Sequence, residues 1–459
     1  MSRFYLQVVL LCLAALGGAL AQETAQDYGQ AGTPVPSQVQ QDDGYPGMIT
    51  GVTVRGDVDP YEIQRLASPF FGGFGPPIIE NAASEYEVSF LTTALDGELV
   101  EVTAQLFVPD LPSPESLPLY VFGSGTTGIA DICAPSRESH YPADLGYARQ
   151  YLLAYAGRGF VSIIPDYLGY ETPGRYQSYF NAEAEARVML DASRAVEDFF
   201  DRYHAATGAE EAGVTGSAQN PLTTTGAQRS IFLGGYSQGG HAAFAAADLN
   251  GAYAPDIEIA GLMGFGATTD VQALLREGPY YAPYIVLSYA QDYGEQLFDP
   301  EAILARNWLG DLHDRAGQLC VDEAQAFYPF SASRIYNDDF RQSLTSGTLE
   351  EDYPAVAQLL ETNNTGLSGH GLPSLIVQGE DDVIVWNETQ QAFARELCNQ
   401  GSDVLYLQYP GVRHRQTRPA GFEESIAWMK SLDRAGSAAS TCELLSSDGY
   451  LPDPRTAGR

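Results

Sequence analysis

Short apolar runs alternate with helix-like segments along most of the 459-residue chain, and this alternation limits the possible folds more than any other feature. The runs are LPLYVFG (117–123), GFVSIIPD (159–166), SIFLGGY (230–236), IEIAGLMGFGA (257–267), LPSLIVQG (372–379) and SDVLYLQYP (402–410), and the clearest helix-like segments are 182–203 and 238–249. Such alternation predicts an α/β fold, a mostly parallel sheet with helices on both faces. Residues 86–94 and 99–109 alternate apolar and polar side chains around Asp96-Gly97, which predicts an antiparallel hairpin at the sheet edge.

One long segment, 268–371, interrupts this alternation. It is too long for a simple connection, and it contains helix-like and tyrosine-rich stretches. We therefore predict an inserted, mainly helical cap domain over the carboxyl ends of the strands, where open α/β sheets bind their ligands. The core then consists of residues 49–267 and of residues 372–459, the second part ending in a C-terminal tail.

The N-terminus is typical of an exported protein. Residues 1–21 contain an apolar stretch, 8–16, and end in an A-x-A sequence at Ala21. The stretch is too short to span a bilayer, so a cleaved signal peptide is favoured over a retained membrane anchor. Residues 22–48 are polar and aperiodic, which predicts a flexible lead-in. The mature protein is expected to be extracellular or periplasmic, with no stable membrane anchor.

Cysteine usage agrees with export. Apart from Cys12 in the signal segment, the chain has four cysteines, Cys133, Cys320, Cys398 and Cys442. An even number in an oxidising compartment indicates two disulfides, for which three connectivities exist. Because two of the four lie near the C-terminus, we expect the pairs Cys398–Cys442 and Cys133–Cys320. Metal binding is the weaker interpretation, since none of the four belongs to a C-x-x-C pair.

The charge balance restricts the possible partners. The chain has a formal net charge of −35, and Lys430 is its only lysine. Nucleic acid and anionic membranes would both be repelled by such a protein, so neither is expected as a partner.

The sequence GYSQGGH, residues 235–241, stands between an apolar run and a helix-like segment. A G-x-S-x-G sequence in that context is typical of a sharp strand-to-helix turn that presents its serine above the sheet, at a helix N-terminus. The alternative is a glycine-rich turn that only packs a helix close to a strand. The context favours Ser237 as a catalytic nucleophile.

A nucleophilic serine needs a base and an acid that orients the base. In this type of fold the chain order is Ser, then Asp or Glu, then His. Only His414 follows an acid placed directly after a strand, in LIVQGEDDVIV, where the spacing favours Asp382 over Asp381. His370 is interpreted as a surface loop residue. His241, one helical turn after the serine, is interpreted as a packing or supporting residue.

The oxyanion of a tetrahedral intermediate needs hydrogen-bond donors that are already in place. The backbone N–H of Gln238, directly after the nucleophile, is the first candidate. The second is the backbone N–H of Thr126, in the glycine-rich loop 123–128 that follows an inner strand. The alternative is that these glycines only permit a turn.

Several stretches together resemble the secretory lipase family of α/β-hydrolases, which includes capped yeast lipases and many bacterial secreted relatives. They are GSGTTGIADICAPS (123–136), GFVSIIPDYLGYETPG (159–174), GYSQGGHAAFAA (235–246), GEDDVIV (379–385) and YPGVRH (409–414). The resemblance implies the α/β-hydrolase fold, with Ser237 as nucleophile, Asp382 as acid and His414 as base. It also implies a cap that forms much of the acyl-chain site, and it favours the same disulfide pairs. Ser124 stands where bacterial relatives usually have histidine.

The predicted function is that of a secreted, lipase-like serine ester hydrolase that acts on acyl esters, triacylglycerols among them, through an acyl-enzyme. Such chemistry requires no metal or organic cofactor. An esterase for short-chain, aromatic or polymeric esters is the first alternative, because the predicted cap is rich in tyrosine and acidic residues. A catalytically inactive binding module is the second, although its signature, a missing triad residue, is not found.

Overall fold

Nine strands form one sheet in the part of the chain that the computed structural model describes, residues 44–138, 147–204, 229–447, 451 and 453–455. The strands are β1 Ile49–Val58, β2 Ala83–Thr93, β3 Leu99–Pro109, β4 Leu119–Gly123, β5 Val161–Pro165, β6 Ile231–Tyr236, β7 Ile259–Phe265, β8 Ser374–Gly379 and β9 Val404–Tyr409. The predicted signal peptide and the lead-in up to residue 43 lie outside the described residues. The spatial order is β1-β2-β3-β5-β4-β6-β7-β8-β9.

The pairing of the strands divides the sheet into two parts. β1, β2 and β3 pair antiparallel, and β3 also pairs antiparallel with β5. From β5 to β9 every pair is parallel. The predicted hairpin is present, with Thr93 opposite Leu99 and with Gly97 in the turn at a φ of 90°. The prediction of a mostly parallel sheet with an antiparallel edge is therefore confirmed.

Helices cover both faces of the sheet. The α-helices of the described residues are α1 Pro60–Phe71, α2 Ala148–Ala156, α3 Ala182–Asp198, α4 Gln238–Tyr253, α5 Val271–Glu277, α6 Ala282–Tyr293, α7 Pro300–Ile303, α8 Arg306–Leu309, α9 Leu312–Arg315, α10 Val321–Phe327, α11 Ala332–Ile335, α12 Asp338–Ser346, α13 Leu349–Asp352, α14 Pro354–Thr362, α15 Asn387–Asn399, α16 Thr417–Ala420, α17 Phe422–Ala435 and α18 Cys442–Ser446. Within these described ranges, no helix combines the length and the apolar character that a membrane span requires.

The core has two layers because side chains alternate along each strand. In β4, Leu119 and Val121 point to the face covered by α3, α4 and α15. Tyr120 and Phe122 point to the opposite face, which α1, α2 and α17 cover. All residues of β4 are buried, as expected for an inner parallel strand with helices on both sides.

Two elements at the start of the described chain were not predicted from the sequence. β1 carries mostly half-buried and exposed side chains, so it lacks the apolar run that marks the inner strands. α1 contains Pro69 and buries Ile63, Ala67 and Phe71, while Leu66 and Phe70 pack against the same cluster. β1 is an edge strand, whereas α1 did have a usable signal, since Ile63, Ala67 and Phe71 recur at helical spacing.

The segment between β7 and β8 is helical. It contains α5 to α14, and its buried side chains, Tyr284, Ile285 and Phe340 among them, form a hydrophobic cluster that also includes Ile129, Tyr179 and Phe180 of the core. Its tyrosines are largely buried, Tyr284, Tyr289 and Tyr336 among them. A cap with the boundaries 268–371 stays a prediction that these packing relations support.

Two disulfides are present, Cys133–Cys320 and Cys398–Cys442. Cys320 directly precedes α10, and the next residue, Val321, donates its N–H to the carbonyl of Thr127 at 2.8 Å. The first disulfide therefore fastens the helical segment to the core beside loop 123–128. The second ties α15 to α18.

Asp166, directly after β5, has a buried carboxyl group. Its protonation should make the free energy of unfolding depend on pH. Its oxygens accept hydrogen bonds from the N–H and the hydroxyl of Ser136 at 2.8 and 2.5 Å. Burial raises the pKa of Asp166 from 3.8 to about 7, although the Ser136 hydrogen bonds oppose the rise. A raised folded-state pKa gives stability that is complete below about pH 4 and is lost as the pH rises through about 7.

We expect Asp166→Asn to remove this pH dependence, because an asparagine amide can donate to the Ser136 hydroxyl as a protonated carboxyl would. The free energy of unfolding of the wild type, relative to the variant, should fall by up to about 4 kcal/mol between about pH 4 and about pH 8. Urea denaturation at several pH values measures this difference. Asp96→Asn, at the exposed hairpin turn, is the matched control. A wild-type-to-variant difference that is independent of pH would contradict the prediction.

Candidate active site

Ser237 lies on the sharp turn between β6 and α4. Its φ of 54° and ψ of −114° are unfavourable for a residue with a side chain, which marks stored backbone strain. The turn requires close contact between neighbouring backbones, which glycine permits. A Cβ on Gly239 would collide with the carbonyl of Gly123, and a Cβ on Gly235 would collide with Gly239. The two glycines of G-x-S-x-G therefore serve close backbone packing around the serine.

Three candidate residues and one glycine follow four adjacent parallel strands. Ser237 follows β6, Gly266 follows β7, Asp382 follows β8 after a short turn, and His414 lies on the loop after β9. Because parallel neighbouring strands end at the same edge of a sheet, the fold brings these four positions together although up to 177 residues separate them in sequence, from Ser237 to His414.

Asp382 and His414 are in direct contact. The Oδ2 atom of Asp382 lies 2.7 Å from Nδ1 of His414, and both side chains are buried. The other oxygen, Oδ1, accepts hydrogen bonds from the N–H groups of Ile384 and Val385 at 2.9 and 3.0 Å. Asp381, the competitor in the sequence, is exposed. The geometry thus places Asp382, not Asp381, against the histidine.

His414 and Ser237 face one cavity. Both line a space of about 380 Å³, together with Thr126 and Tyr281. The Nε2 atom of His414 is buried and makes no hydrogen bond to any residue that the structure describes. The structure therefore does not join the serine to the histidine by a hydrogen bond, as often happens in ligand-free active sites. Nε2 is thus left without a protein partner among the described residues, in a histidine that lines the cavity.

Gly266 was not predicted from the sequence to belong to the site. It has a φ of 53°, and a Cβ at this position would lie 3.0 Å from Nδ1 of His414 and 3.2 Å from Oδ2 of Asp382. A side chain at this position would therefore press on the Asp382–His414 hydrogen bond. The only sequence signal was a glycine directly after a strand.

We expect Gly266→Ala to lower kcat/KM for a simple ester about 100-fold, because a displacement of the imidazole by a fraction of an ångström disturbs proton transfer. The left-handed backbone should also cost about 1–2 kcal/mol of stability. Initial rates and thermal unfolding measure the two effects. Gly251→Ala is the matched control, since Gly251 lies in α4 and an added methyl group there would meet no atom within 4 Å. Full activity of Gly266→Ala would contradict the prediction.

Loop 123–128 is held on several sides. Thr126 lines the cavity, and its hydroxyl lies 2.7 Å from that of Tyr179. The hydroxyl of Tyr167 donates to the carbonyl of Ser124 at 2.9 Å, while the Ser124 hydroxyl is buried and has no partner among the described residues. The substitution of the usual histidine by Ser124 therefore leaves the loop anchored through its backbone. Gln238 begins α4 directly after the nucleophile.

A buried Glu185–His241 pair lies next to the turn and contacts Gln238, the residue after Ser237. Glu185 Oε2 lies 2.6 Å from His241 Nδ1, and the carbonyl of Asn363 lies 2.6 Å from His241 Nε2. Glu185 Oε1 accepts from the side chain of Gln238 at 2.7 Å. The interpretation of His241 as a supporting residue agrees with this position. Glu185 was missed, although a charged residue on the apolar face of α3 was a usable signal.

Sequence comparison finds a matching family and similar lipases. The family described as secretory lipase matches residues 145–438. Lipase A of Moesziomyces aphidis is 23% identical over 376 residues, which cover 76% of this chain and 72% of that protein. The secreted triacylglycerol lipase LIP7 of Malassezia globosa is 23% identical over 379 residues, which cover 78% of this chain and 73% of that protein.

Solved structures share the fold. Candida antarctica lipase A superimposes with a TM-score of 0.60 and 19% identity, covering 87% of this chain and 84% of that one. The rice cell wall degrading esterase LipA from Xanthomonas oryzae gives a TM-score of 0.63 at 16% identity, covering 85% and 98%. At these identities the likeness establishes the α/β-hydrolase fold and nothing about the substrate.

Proposed function

Because the chain belongs to the secretory lipase family and is a secreted carboxylic ester hydrolase, we propose that it works through an acyl-enzyme formed by a triad of Ser237, His414 and Asp382. The observation that carries the proposal is the contact of 2.7 Å between Asp382 and His414. Nε2 of this histidine has no hydrogen-bond partner among the described residues, and the histidine lines the same cavity as Ser237.

In the proposed mechanism, Ser237 Oγ attacks the ester carbonyl carbon while Nε2 of His414 takes the hydroxyl proton. The C–O bond to the alcohol then breaks, and the histidine returns that proton to the departing alkoxide oxygen. Water attacks the acyl-enzyme with the same histidine as base, which releases the carboxylic acid and restores the serine. No cofactor takes part in these steps.

The two acceptor contacts of Asp382 explain how it would fix the base. Its Oδ1 is held by two backbone N–H groups, so only Oδ2 faces the imidazole. The carboxylate therefore keeps the proton of His414 on Nδ1 and leaves Nε2 free to accept the proton of the serine. It also stabilises the imidazolium that forms during attack.

The developing oxyanion needs donors close to Ser237. The backbone N–H of Gln238, the first residue of α4, is our first candidate, and the helix dipole adds favourable charge there. The backbone N–H of Thr126 is the second candidate, since Thr126 lines the same cavity. The Glu185–Gln238 hydrogen bond supports the position of the first donor.

The lining of the cavity favours a second candidate for the substrate class. It combines three aliphatic side chains, Val321, Val383 and Ile384, with the rings of Tyr236 and Tyr281 and with polar and cationic groups. In sites of this kind a few polar groups fix the orientation of a largely apolar ligand. An aromatic ester is therefore a candidate beside the triacylglycerols that the name of the Malassezia globosa relative specifies.

Labelling with a fluorophosphonate tests the proposed nucleophile directly. An activated serine should bind one phosphonyl group per chain, and peptide mapping should place it on Ser237. Initial rates on p-nitrophenyl esters from acetate to palmitate, together with emulsified triolein, then distinguish a lipase from an esterase. A protein that neither reacts nor hydrolyses any ester would support the inactive binding module instead.

A further inference from the structure

The catalytic cavity has an unusual charge for this protein. Three arginines line it, Arg413, Arg415 and Arg418, and among the described residues that line it none is an aspartate or glutamate. The whole chain carries 59 acidic residues against 24 basic ones. A cationic lining in so acidic a protein indicates a ligand with a negative charge.

Arg418 is the most unusual of the three because it is buried. Its side chain lies against aromatic rings, 4.3 Å from the ring centroid of Tyr236 and 4.9 Å from that of Phe70. It is 3% exposed, and its Nε has no hydrogen-bond partner among the described residues. Within the described part of the chain, no carboxylate pairs with it, whereas Arg415 pairs with Asp322.

The charge of Arg418 is therefore poorly compensated. Burial lowers the pKa of its guanidinium below the usual 12.5. Glu138 is the carboxyl whose charge acts on it, but burial raises the pKa of Glu138 to about 8, so this group is largely protonated at about pH 7. A buried cation of this kind gains most from an anion that arrives with the ligand.

A second cavity shares this arginine with the catalytic one. It has a volume of about 290 Å³, and it shares Arg415, Gln416 and Arg418 with the catalytic cavity. Its other walls are mostly apolar or aromatic and include Phe70, Phe71, Phe74 and Tyr147. None of its described lining residues is acidic either. The two spaces together offer an ester site, a buried cation and an aromatic surface.

We propose that this enzyme prefers ester substrates that also carry a free carboxylate, with esters of aromatic acids such as hydroxybenzoates the best fit, and that Arg418 binds this carboxylate. The inference rests on the proposed function, since it places the ester carbonyl at Ser237. An arginine fork matches the two oxygens of a carboxylate, and the burial of Arg418 strengthens the contact. Salt screens the negative charge of the distant surface, so the guanidinium dominates at short range.

A matched pair of substrates tests the preference. 4-Butyryloxybenzoate carries the carboxylate, and its methyl ester is the neutral counterpart with the same butyryl ester bond. Hydrolysis is followed in a pH-stat with identification of the released phenol, at constant ionic strength. We expect kcat/KM of the wild type to be at least about tenfold higher for the charged member. Equal values for the two members would overturn the proposal even with a fully active enzyme.

Variants identify the residue responsible. Arg418→Gln should lower the charged-to-neutral ratio of kcat/KM about 10- to 100-fold, the size of effect expected when a charge-assisted hydrogen-bonded pair is lost. Arg418→Lys should restore part of the ratio. Arg334→Gln, which removes an exposed arginine that lines neither cavity, is the control for net charge. A ratio that is unchanged in Arg418→Gln would overturn the assignment to this residue.

Binding without turnover separates this inference from the proposed function. Calorimetry on Ser237→Ala should show that 4-hydroxybenzoate binds and that the neutral 4-hydroxybenzamide binds at least about tenfold more weakly. Adding Arg418→Gln should abolish the difference. If carboxylate binding depends on Arg418 but no ester is hydrolysed, the proposed function fails and the carboxylate site stands. If esters are hydrolysed but the two ligands bind equally, the carboxylate site fails and the hydrolase stands.

Discussion

Replacing Ser237 by alanine is expected to lower kcat for simple esters about 10⁴- to 10⁶-fold, because no other hydroxyl stands on the turn between β6 and α4. Water could still be activated by His414, and oxyanion donors would remain, so a small residual rate is expected. The fold should be unaffected or slightly more stable, since alanine removes the hydroxyl without changing the turn.

Steady-state rates on p-nitrophenyl butyrate measure this loss, and thermal unfolding checks the fold. Ser230→Ala is the matched control. Ser230 precedes β6, at the end of the strand opposite to Ser237, and its hydroxyl donates to Asp433. That variant should keep wild-type kcat within about threefold. Wild-type turnover by Ser237→Ala would remove the acyl-enzyme mechanism altogether.

Asp382→Asn should have the second-largest effect, a decrease in kcat/KM of about 10³- to 10⁴-fold. The N–H groups of Ile384 and Val385 would select the carbonyl oxygen of the new amide, as they now select Oδ1. The amide NH₂ would then face Nδ1 of His414. That nitrogen would have to accept, so the imidazole proton would move to Nε2 and the histidine could no longer take the proton of the serine.

Asp381→Asn is the control for this experiment. The two residues are adjacent and lose the same charge, but Asp381 is exposed and makes no side-chain hydrogen bond within the described residues. Its replacement should change kcat/KM less than about threefold. Similar losses in the two variants would contradict the assignment of Asp382, whereas a loss in Asp381→Asn alone would move the role to Asp381.

The fold was predictable wherever burial in the structure produces a recognisable pattern of apolar residues in the sequence. The inner strands, such as β4, β5 and β6, are buried on both faces, so each appears as an apolar run. α1 was missed although its buried residues recur at helical spacing. β1 was missed because, as an edge strand, it carries mostly half-buried and exposed side chains. Such peripheral elements owe their place to the neighbours against which they pack.

The candidate site divides in the same way. Ser237, Asp382 and His414 could be proposed because each stands in a local pattern directly after a strand. The roles of Glu185 and Gly266 come from contacts with residues 56 and 148 positions away, His241 and His414, so the sequence could at most mark Glu185 as a charged residue on an apolar helix face. Arg418 shares its sequence stretch with two exposed arginines, Arg413 and Arg415, and only packing against Phe70 and Tyr236 distinguishes it.

Local sequence was enough to specify a mostly parallel sheet, a sharp turn that carries Ser237, and a short list of acids and bases that could serve it. These properties depend on backbone conformation and on the period of the apolar residues, and residues close together in the sequence determine both. Only the assembled fold shows that Asp382 rather than Asp381 faces His414, and that three arginines, one of them buried, line the cavity beside Ser237. Burial and charge compensation depend on groups far apart in the chain, which become neighbours only when the sheet and its helices are packed together.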